Sequence, residues 1–355
     1  MCRENFLLME TLGPAELPEF ARQVLDHAGT CSAALRTSHS LKGLAVDACV
    51  HSPVYRDLCK RALVNDESYA SDTQQQVCVS LLDGSRVPEL GRRRWAVDRF
   101  QHCELTDTLE RHGLFGGFNA DRGLWQFYDP LDRRGVQLTM PFDPYPLRDE
   151  AFPLQHFLQW AYQPLGLRLL RAASLGQDGR GVLLAGCSGA IRSELVLAGL
   201  NAGLCTVGDD FTIIESGHPE VRAFPVVRQL RQDAAGLARV GLDPQSLGAT
   251  GPNGQGKYEF DVTALGYDRL ASSLDISGIV VLRSARQQSA AMIPAAAQDA
   301  AQALTSCAFS PLAGLRDEAR FIADIASAVP TYWLEVGDDV TLSVGVIERY
   351  LAALA

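Results

Sequence analysis

The strongest constraint on this fold is a short apolar run between glycines, followed by a small polar turn and a helical segment. Residues 179–186 read GRGVLLAG, and an apolar run of this length between glycines predicts a buried strand. Residues 193–203, SELVLAGLNAG, predict a short helix with Gly203 at its C-terminal end. Residues 204–214, LCTVGDDFTII, predict a second strand interrupted by an acidic pair. The order strand, glycine turn, helix, strand predicts a βαβ unit and therefore an α/β core.

The N-terminal part of the chain has a different pattern. Residues 1–90 are polar and contain two segments with helical spacing of apolar residues, which predict a helix-rich region. Residues 93–140 contain short aromatic and β-branched runs between Gly, Asp and Pro, which predict a small antiparallel sheet. Because 355 residues suit two domains, we expect a smaller α+β domain over 1–150 and an α/β domain over 151–355.

Composition narrows the function class. Hydrophobic residues make up 47% of the chain and charged residues 21%, which indicates a packed globular core. The net charge of −10 argues against a general nucleic-acid binder. Nine irregularly spaced cysteines argue against a disulfide framework. With no signal-peptide pattern and no apolar stretch long enough for a bilayer, we expect a cytoplasmic protein, and a homo-oligomer is compatible with the sequence.

The turn after the first apolar strand approximates a phosphate-binding loop of the form GxxxxGK[ST]. The first glycine, the spacing and the final serine are present, but Ile191 replaces the last glycine and Arg192 replaces the lysine. A β-branched residue resists close approach of the backbone to a phosphate, and a forked guanidinium differs from a compact ammonium. The candidates for binding the phosphates of a nucleotide are Gly186, Cys187, Ser188, Gly189, Ala190, Arg192 and Ser193. A plain strand-to-helix turn without a ligand remains the alternative.

An acidic pair and a few cations complete the set of candidates. Asp209 and Asp210 end the next strand-like run, and strand ends and helix N-termini meet at the ligand crevice of an α/β sheet. Carboxylates there can hold Mg²⁺ or accept a hydroxyl proton, so both are candidate catalytic residues, with Ser193 and Asp209 as candidate metal ligands. Further cations that could reach phosphates are Arg171, Arg228, Arg231 and Lys257, although a residue of this kind is more often a surface charge or a salt-bridge partner.

The stretch from residue 169 to 214 resembles the catalytic domain of HPr serine kinases and related bacterial proteins. The shared pattern is an apolar strand, a GxSGxGKS-like loop, a short helix ending in glycine, and a run ending in two aspartates. A less specific resemblance covers about residues 155–355, and Glu194 matches the glutamate that follows the loop in the family. The resemblance implies a P-loop fold similar to the nucleotide domain of phosphoenolpyruvate carboxykinase. It also implies ATP-dependent phosphorylation of a serine in a peptide or protein, with Mg²⁺ and proton transfer at the aspartate pair.

Two functions from different classes follow from these observations. The first is a phosphotransferase that acts with ATP or another nucleoside triphosphate and Mg²⁺ on a hydroxyl of a peptide or protein. The second is a catalytically inactive relative that binds a peptide, a partner or a nucleotide without turnover. The replaced residues Ile191 and Arg192 are what keep the second function open.

Overall fold

The protein is a mixed α/β protein with several sheets, described here from a computed structural model. The structure describes residues 10–30, 35–69, 75–120, 123–140, 152–186, 189–217, 220–285, 291–306 and 317–354. The described residues form two compact units: unit 1 ends at Leu165, and unit 2 begins at Gly166. The predicted domain boundary at 150/151 lies outside the described residues.

Unit 1 is built on a six-stranded sheet and a separate pair of short parallel strands. Its elements are β1 (Glu10–Leu12), α1 (Leu17–Thr30), β2 (Leu35–Leu41), β3 (Leu44–Val50), α2 (Pro53–Ala62), β4 (Gln75–Leu82), α3 (Pro88–Gly91), β5 (Arg93–Trp95), α4 (His102–Arg111), β6 (Phe115–Asn119), β7 (Leu124–Asp129), β8 (Arg134–Thr139) and α5 (Gln155–Tyr162).

The prediction of a helix-rich region over 1–90 is wrong in part, because three of the six strands lie there. The two segments with helical spacing do form α1 and α2, but β2, β3 and β4 were not predicted. The sheet order is β2-β3-β4-β8-β7-β6, with parallel pairing of β3 with β4 and of β4 with β8. The sheet is therefore mixed, and the predicted small antiparallel sheet over 93–140 is only its β8-β7-β6 edge.

Aromatic packing joins α1 to this sheet. The ring of Phe20 on α1 lies 5.3 Å from that of Trp125 and 5.8 Å from that of Phe127, both edge-on. All three side chains are almost completely buried. Edge-to-face contacts add to the hydrophobic stabilisation of buried rings, so these three side chains help to hold α1 against β7 in the core of unit 1.

Unit 2 contains an eight-stranded sheet and a separate hairpin. Its elements are β9 (Leu167–Leu170), β10 (Ala173–Gln177), β11 (Arg180–Ala185), α6 (Gly189–Ala202), β12 (Thr212–Ser216), β13 (Val221–Pro225), β14 (Gln229–Asp233), α7 (Ala234–Arg239), β15 (Lys257–Asp261), β16 (Leu274–Ser284), β17 (Ile293–Ala295), α8 (Ala297–Ser306), α9 (Glu318–Ala328), β18 (Thr331–Val336) and α10 (Val340–Ala352).

The long strand β16 organises the sheet of unit 2. It pairs in parallel with β11 on one side. On the other side it pairs in parallel with β18 and, through its first two residues, antiparallel with β13. The predicted βαβ unit is wrong in its pairing, because the parallel neighbour of β11 is β16 and not the run that follows α6. That run instead forms an antiparallel bridge from Cys205 to Gly176 on β10. The local order of strand, turn and helix was predicted correctly, but the strand that pairs with β11 comes from a distant part of the chain.

Both faces of the central strands are covered. Leu184 and Val280 belong to a core cluster that includes residues of α6 and α10. Leu183 and Ile279 belong to a second cluster that includes residues of α8 and α9. Parallel strands buried on both faces read as continuous apolar runs, which explains the unbroken VLLA and IVVL sequences of β11 and β16. This arrangement fixes the start of α6 next to the end of β11.

Candidate functional site

The predicted strand–turn–helix arrangement is confirmed. Strand β11 ends at Ala185, Gly186 has a φ of +76°, and α6 begins at Gly189. A Cβ atom at Gly186 would lie 3.2 Å from the carbonyl oxygen of Leu282, so both the dihedral and the close approach favour glycine. The predicted binding residues Cys187 and Ser188, and the side chain of Ala190, lie outside the described residues.

Ile191 does not occupy the strained position that the phosphate-loop comparison suggests. It lies in the first turns of α6 and packs, partly buried, against the core cluster of that helix. Because Ile191 has ordinary helical backbone geometry, no glycine is required there for conformational reasons. The turn proper is therefore short, and the residues from Gly189 to Ser193 belong to the helix N-terminus.

The first contact of the site joins α6 to the acidic pair. The Ser193 hydroxyl donates a hydrogen bond of 2.8 Å to Oδ2 of Asp209. The backbone just before Asp209 is held by β10, because the amide of Ser174 donates to the carbonyl oxygen of Gly208 at 2.9 Å. Ser193 is 9% exposed, so this pair is mostly shielded from solvent. The structure thus brings the two predicted metal ligands together.

Asp209 carries an unsatisfied buried oxygen. Asp209 as a whole is partly exposed, but its Oδ1 atom is buried and has no hydrogen-bond partner among the described residues. Burial and the neighbouring charge of Asp210 raise the pKa of Asp209 from 3.8 to about 6, while Ser193 and Arg192 oppose this shift. A buried carboxylate oxygen without a partner is costly, which makes it a candidate ligand for a cation.

Asp210 is bound by two arginines. Nε of Arg171 donates to Oδ1 of Asp210 at 3.0 Å, and Nη2 of Arg192 donates to the same oxygen at 3.2 Å. The side chain of Arg192 is only 3% exposed, whereas that of Arg171 is 49% exposed. The residue that replaces the phosphate-loop lysine is therefore buried and directed at Asp210 in this structure.

The remaining predicted cations separate into three cases. Arg228 forms an ion pair with Asp261 and so has a local structural partner. Lys257 opposes Asp233 in the β14–β15 hairpin and contacts neither aspartate of the acidic pair among the described residues. Arg231, on β14, is close enough for its charge to favour ionised Asp209. Of these cations, Arg231 is the one associated with the site.

Sequence reasoning missed one partner in this region. The side chain of Glu194, directly after Ser193, is only 8% exposed. It is bound by Arg239 of α7, whose Nε donates to Oε2 at 3.0 Å and whose Nη2 contacts Oε1. This forked ion pair joins α7 to the first turns of α6. No sequence signal could have found it, because 45 residues separate the partners.

The oxygen ligands present here suit Mg²⁺ shared with substrate phosphates better than a metal ion held by protein side chains alone. Among the described residues, no group of three His, Cys, Asp or Glu side chains could hold a metal ion. Mg²⁺ prefers oxygen ligands, and is commonly held by one or two carboxylates together with substrate phosphates. The Ser193 hydroxyl and the unsatisfied Oδ1 of Asp209 fit that chemistry.

Comparison with known proteins gives no sequence match and a weak structural likeness. No protein-family model and no curated protein sequence matches the chain. Among solved structures, the chain is similar to the HPr(Ser) kinase/phosphatase from Coxiella burnetii, with a TM-score of 0.31 and 15% sequence identity. The match covers 53% of this chain and 98% of that one. A TM-score of 0.31 does not establish a common fold. None of the described helices has the length and apolar character needed to cross a bilayer.

Proposed function

We propose that unit 2 binds ATP, or another nucleoside triphosphate, with Mg²⁺ at the N-terminus of α6 and transfers a phosphoryl group to a serine or other hydroxyl of a peptide or protein. The observation that carries this proposal is the Ser193–Asp209 pair beside the helix N-terminus, with one carboxylate oxygen of Asp209 buried and unsatisfied. Helix N-termini attract phosphates, and the paired hydroxyl and carboxylate are the ligands that Mg²⁺ takes beside them.

The proposed roles follow from which oxygens are engaged. Ser193 and Asp209 would hold Mg²⁺, which when bound neutralises charge on the transferring phosphoryl group. Asp210 uses Oδ1 for Arg171 and Arg192, which leaves Oδ2 to orient the acceptor hydroxyl or accept its proton. The predicted contacts of Gly186 and Gly189 with phosphates would use their backbone amides.

A second function has its own observation in support. The buried side chain of Arg192 donates to Asp210, so these two opposite charges pair within the site. A catalytically inactive protein that binds a nucleotide, peptide or partner would also benefit from such a pair, since the ion pair stabilises the site without turnover. Binding without transfer is the property that distinguishes this function from a kinase.

Nucleotide binding is tested first by thermal unfolding. ATP with Mg²⁺ should raise the melting temperature, because a ligand that binds only the native state stabilises it. The matched arm uses ATP with EDTA, for which we expect a smaller rise in the wild type. In Asp209→Asn the two arms should coincide, because the proposed metal ligand is gone. An unchanged melting temperature of the wild type with ATP and Mg²⁺ would count against both functions in their nucleotide form.

Transfer is tested with a panel of serine-containing peptides and labelled ATP. Asp209→Asn and Asp210→Asn should each reduce transfer by at least about 10²-fold, the usual effect of losing a general base or metal ligand. Transfer that persists in both variants would refute the proposed mechanism. Nucleotide binding without transfer in the wild type would favour the inactive relative.

A further inference from the structure

Two guanidinium groups contact the acidic pair of unit 2, and the charge of a third acts on it. Arg171 lies between β9 and β10, Arg192 lies on α6, and Arg231 lies on β14. The first two donate to Asp210, as described above. Strand β14 packs against α6, and the charge of Arg231 on this strand acts on Asp209. The arrangement is tertiary, since about 60 residues of chain lie between the first and the third arginine.

Arg231 differs from the other two arginines in its partners. It is half-buried, and it forms no ion pair or hydrogen bond among the residues that the structure describes. Glu259 stands directly opposite it in the hairpin, where an oppositely charged pair would be expected. Glu259 instead accepts a 2.8 Å hydrogen bond from the side chain of Asn253. Arg231 thus lies near Asp209 with its guanidinium donors available to a ligand.

The charges do not balance around the acidic pair. Three arginine charges act on two aspartates, and the N-terminus of α6 adds a partial positive charge. Among the residues that the structure describes, the buried Oδ1 of Asp209 also has no partner, which independently points to a bound cation. A multiply charged anion accompanied by a cation would satisfy both requirements. Guanidinium forks suit phosphate oxygens in particular, because they can make two parallel hydrogen bonds.

We infer that Arg171, Arg192 and Arg231 bind the polyphosphate chain of the nucleotide in the proposed site. On this view Asp210 is a positioning residue as well: its Oδ1 holds two of the guanidinium groups in one orientation. Arg231 supplies the contact that the missing phosphate-loop lysine would otherwise make. The inference rests on the proposed phosphate site and names the residues and ligand class that make it work without lysine.

The test measures binding of tripolyphosphate by calorimetry, without metal and without nucleotide. Arg231→Gln should weaken binding at least about tenfold, equal to about 1.4 kcal/mol. The matched control is Arg222→Gln, which removes the same charge from β13 of the same unit, where Arg222 pairs with exposed Asp275. The control should bind within about twofold of wild type, since a surface ion pair contributes little. Melting temperatures of all three proteins are recorded alongside.

Each outcome has a definite meaning. Equal affinity in wild type and Arg231→Gln would overturn the inference, as would a wild type that binds no tripolyphosphate. Neither result decides the proposed function, because the ATP and Mg²⁺ unfolding experiment measures nucleotide binding separately. If Arg231→Gln lowers the melting temperature, Arg231→Lys replaces it, because lysine keeps the charge but not the fork. Wild-type affinity in Arg231→Lys would then overturn the forked contact.

Discussion

Asp209→Asn should increase the free energy of unfolding at pH 8, even though it removes a proposed metal ligand. Burial and Asp210 raise the pKa of Asp209 from 3.8 to about 6, so ionising this carboxyl is costly in the folded state. A displacement of this size corresponds to about 3 kcal/mol. Asparagine removes that cost but places an amide group in a buried position without a partner, which costs about 1 kcal/mol. The expected net gain is about 2 kcal/mol.

The gain should depend on pH in a defined direction. The folded pKa lies above the unfolded value, so the cost of ionised Asp209 is fully present above about pH 6 and absent below pH 3.8. The stabilisation by Asp209→Asn should therefore be largest at pH 8 and decrease as the pH falls through this window. For a unit of this size, 2 kcal/mol corresponds to about 4–8 °C in melting temperature.

The assay is thermal unfolding of full-length protein at pH 8 and pH 4.5, without Mg²⁺. The matched control is Asp210→Asn, which removes the same charge from the neighbouring residue. It should destabilise by about 1–3 kcal/mol, because it deprives Arg192, with a side chain only 3% exposed, of its charged acceptor. Opposite signs for the two variants are expected. A gain of Asp209→Asn that is equal at both pH values, or no gain at pH 8, would refute the electrostatic reasoning.

Three further predictions concern other parts of the molecule. The double change Ile191→Gly with Arg192→Lys should lower the melting temperature, because Ile191 packs on the core and lysine cannot reproduce the guanidinium of Arg192 beside Asp210; an unchanged melting temperature would contradict this. Arg239→Ala should cost about 1–2 kcal/mol in urea unfolding by leaving Glu194 buried without a partner, and adding Glu194→Gln should recover most of it. His39 is 4% exposed, and burial lowers its pKa to about 4. The unfolded chain therefore binds a proton at this residue between pH 6.5 and 4 before the folded protein does, which lowers the free energy of unfolding as the pH falls. His39→Gln should remove about 3 kcal/mol of that pH dependence, measured by urea unfolding at several pH values.

The helices of unit 1 illustrate what local sequence can predict. Helix α2 begins where Ser52 caps the amide of Tyr55 and Pro53 follows, and these signals lie within four residues. The neighbouring strand β3, LAVDACV, alternates buried and half-buried residues along its whole length. That period of two was present in the sequence and was missed beside the helical segments. Its partners β2 and β4 make the alternation meaningful, and they are identified only by pairing.

In unit 2 the local sequence was enough to predict the turn between β11 and α6. The apolar run, the glycine at positive φ and the helix that follows are all local, because strand burial, backbone freedom and helix length each depend on a few adjacent residues. The position of Asp209 and Asp210 after an extended run was predictable for the same reason. The functional roles assigned to these residues remain predictions.

Which side chains meet depends on contacts between distant parts of the chain. The order of strands placed β16 beside β11, and the hairpin put Arg231 rather than Lys257 near Asp209. Contacts of this kind join residues far apart in the chain, and they depend on sheet pairing and on the burial of both faces, neither of which a local pattern encodes. The raised pKa of Asp209 has the same origin, because desolvation is a property of everything packed around a carboxyl and not of its sequence neighbours.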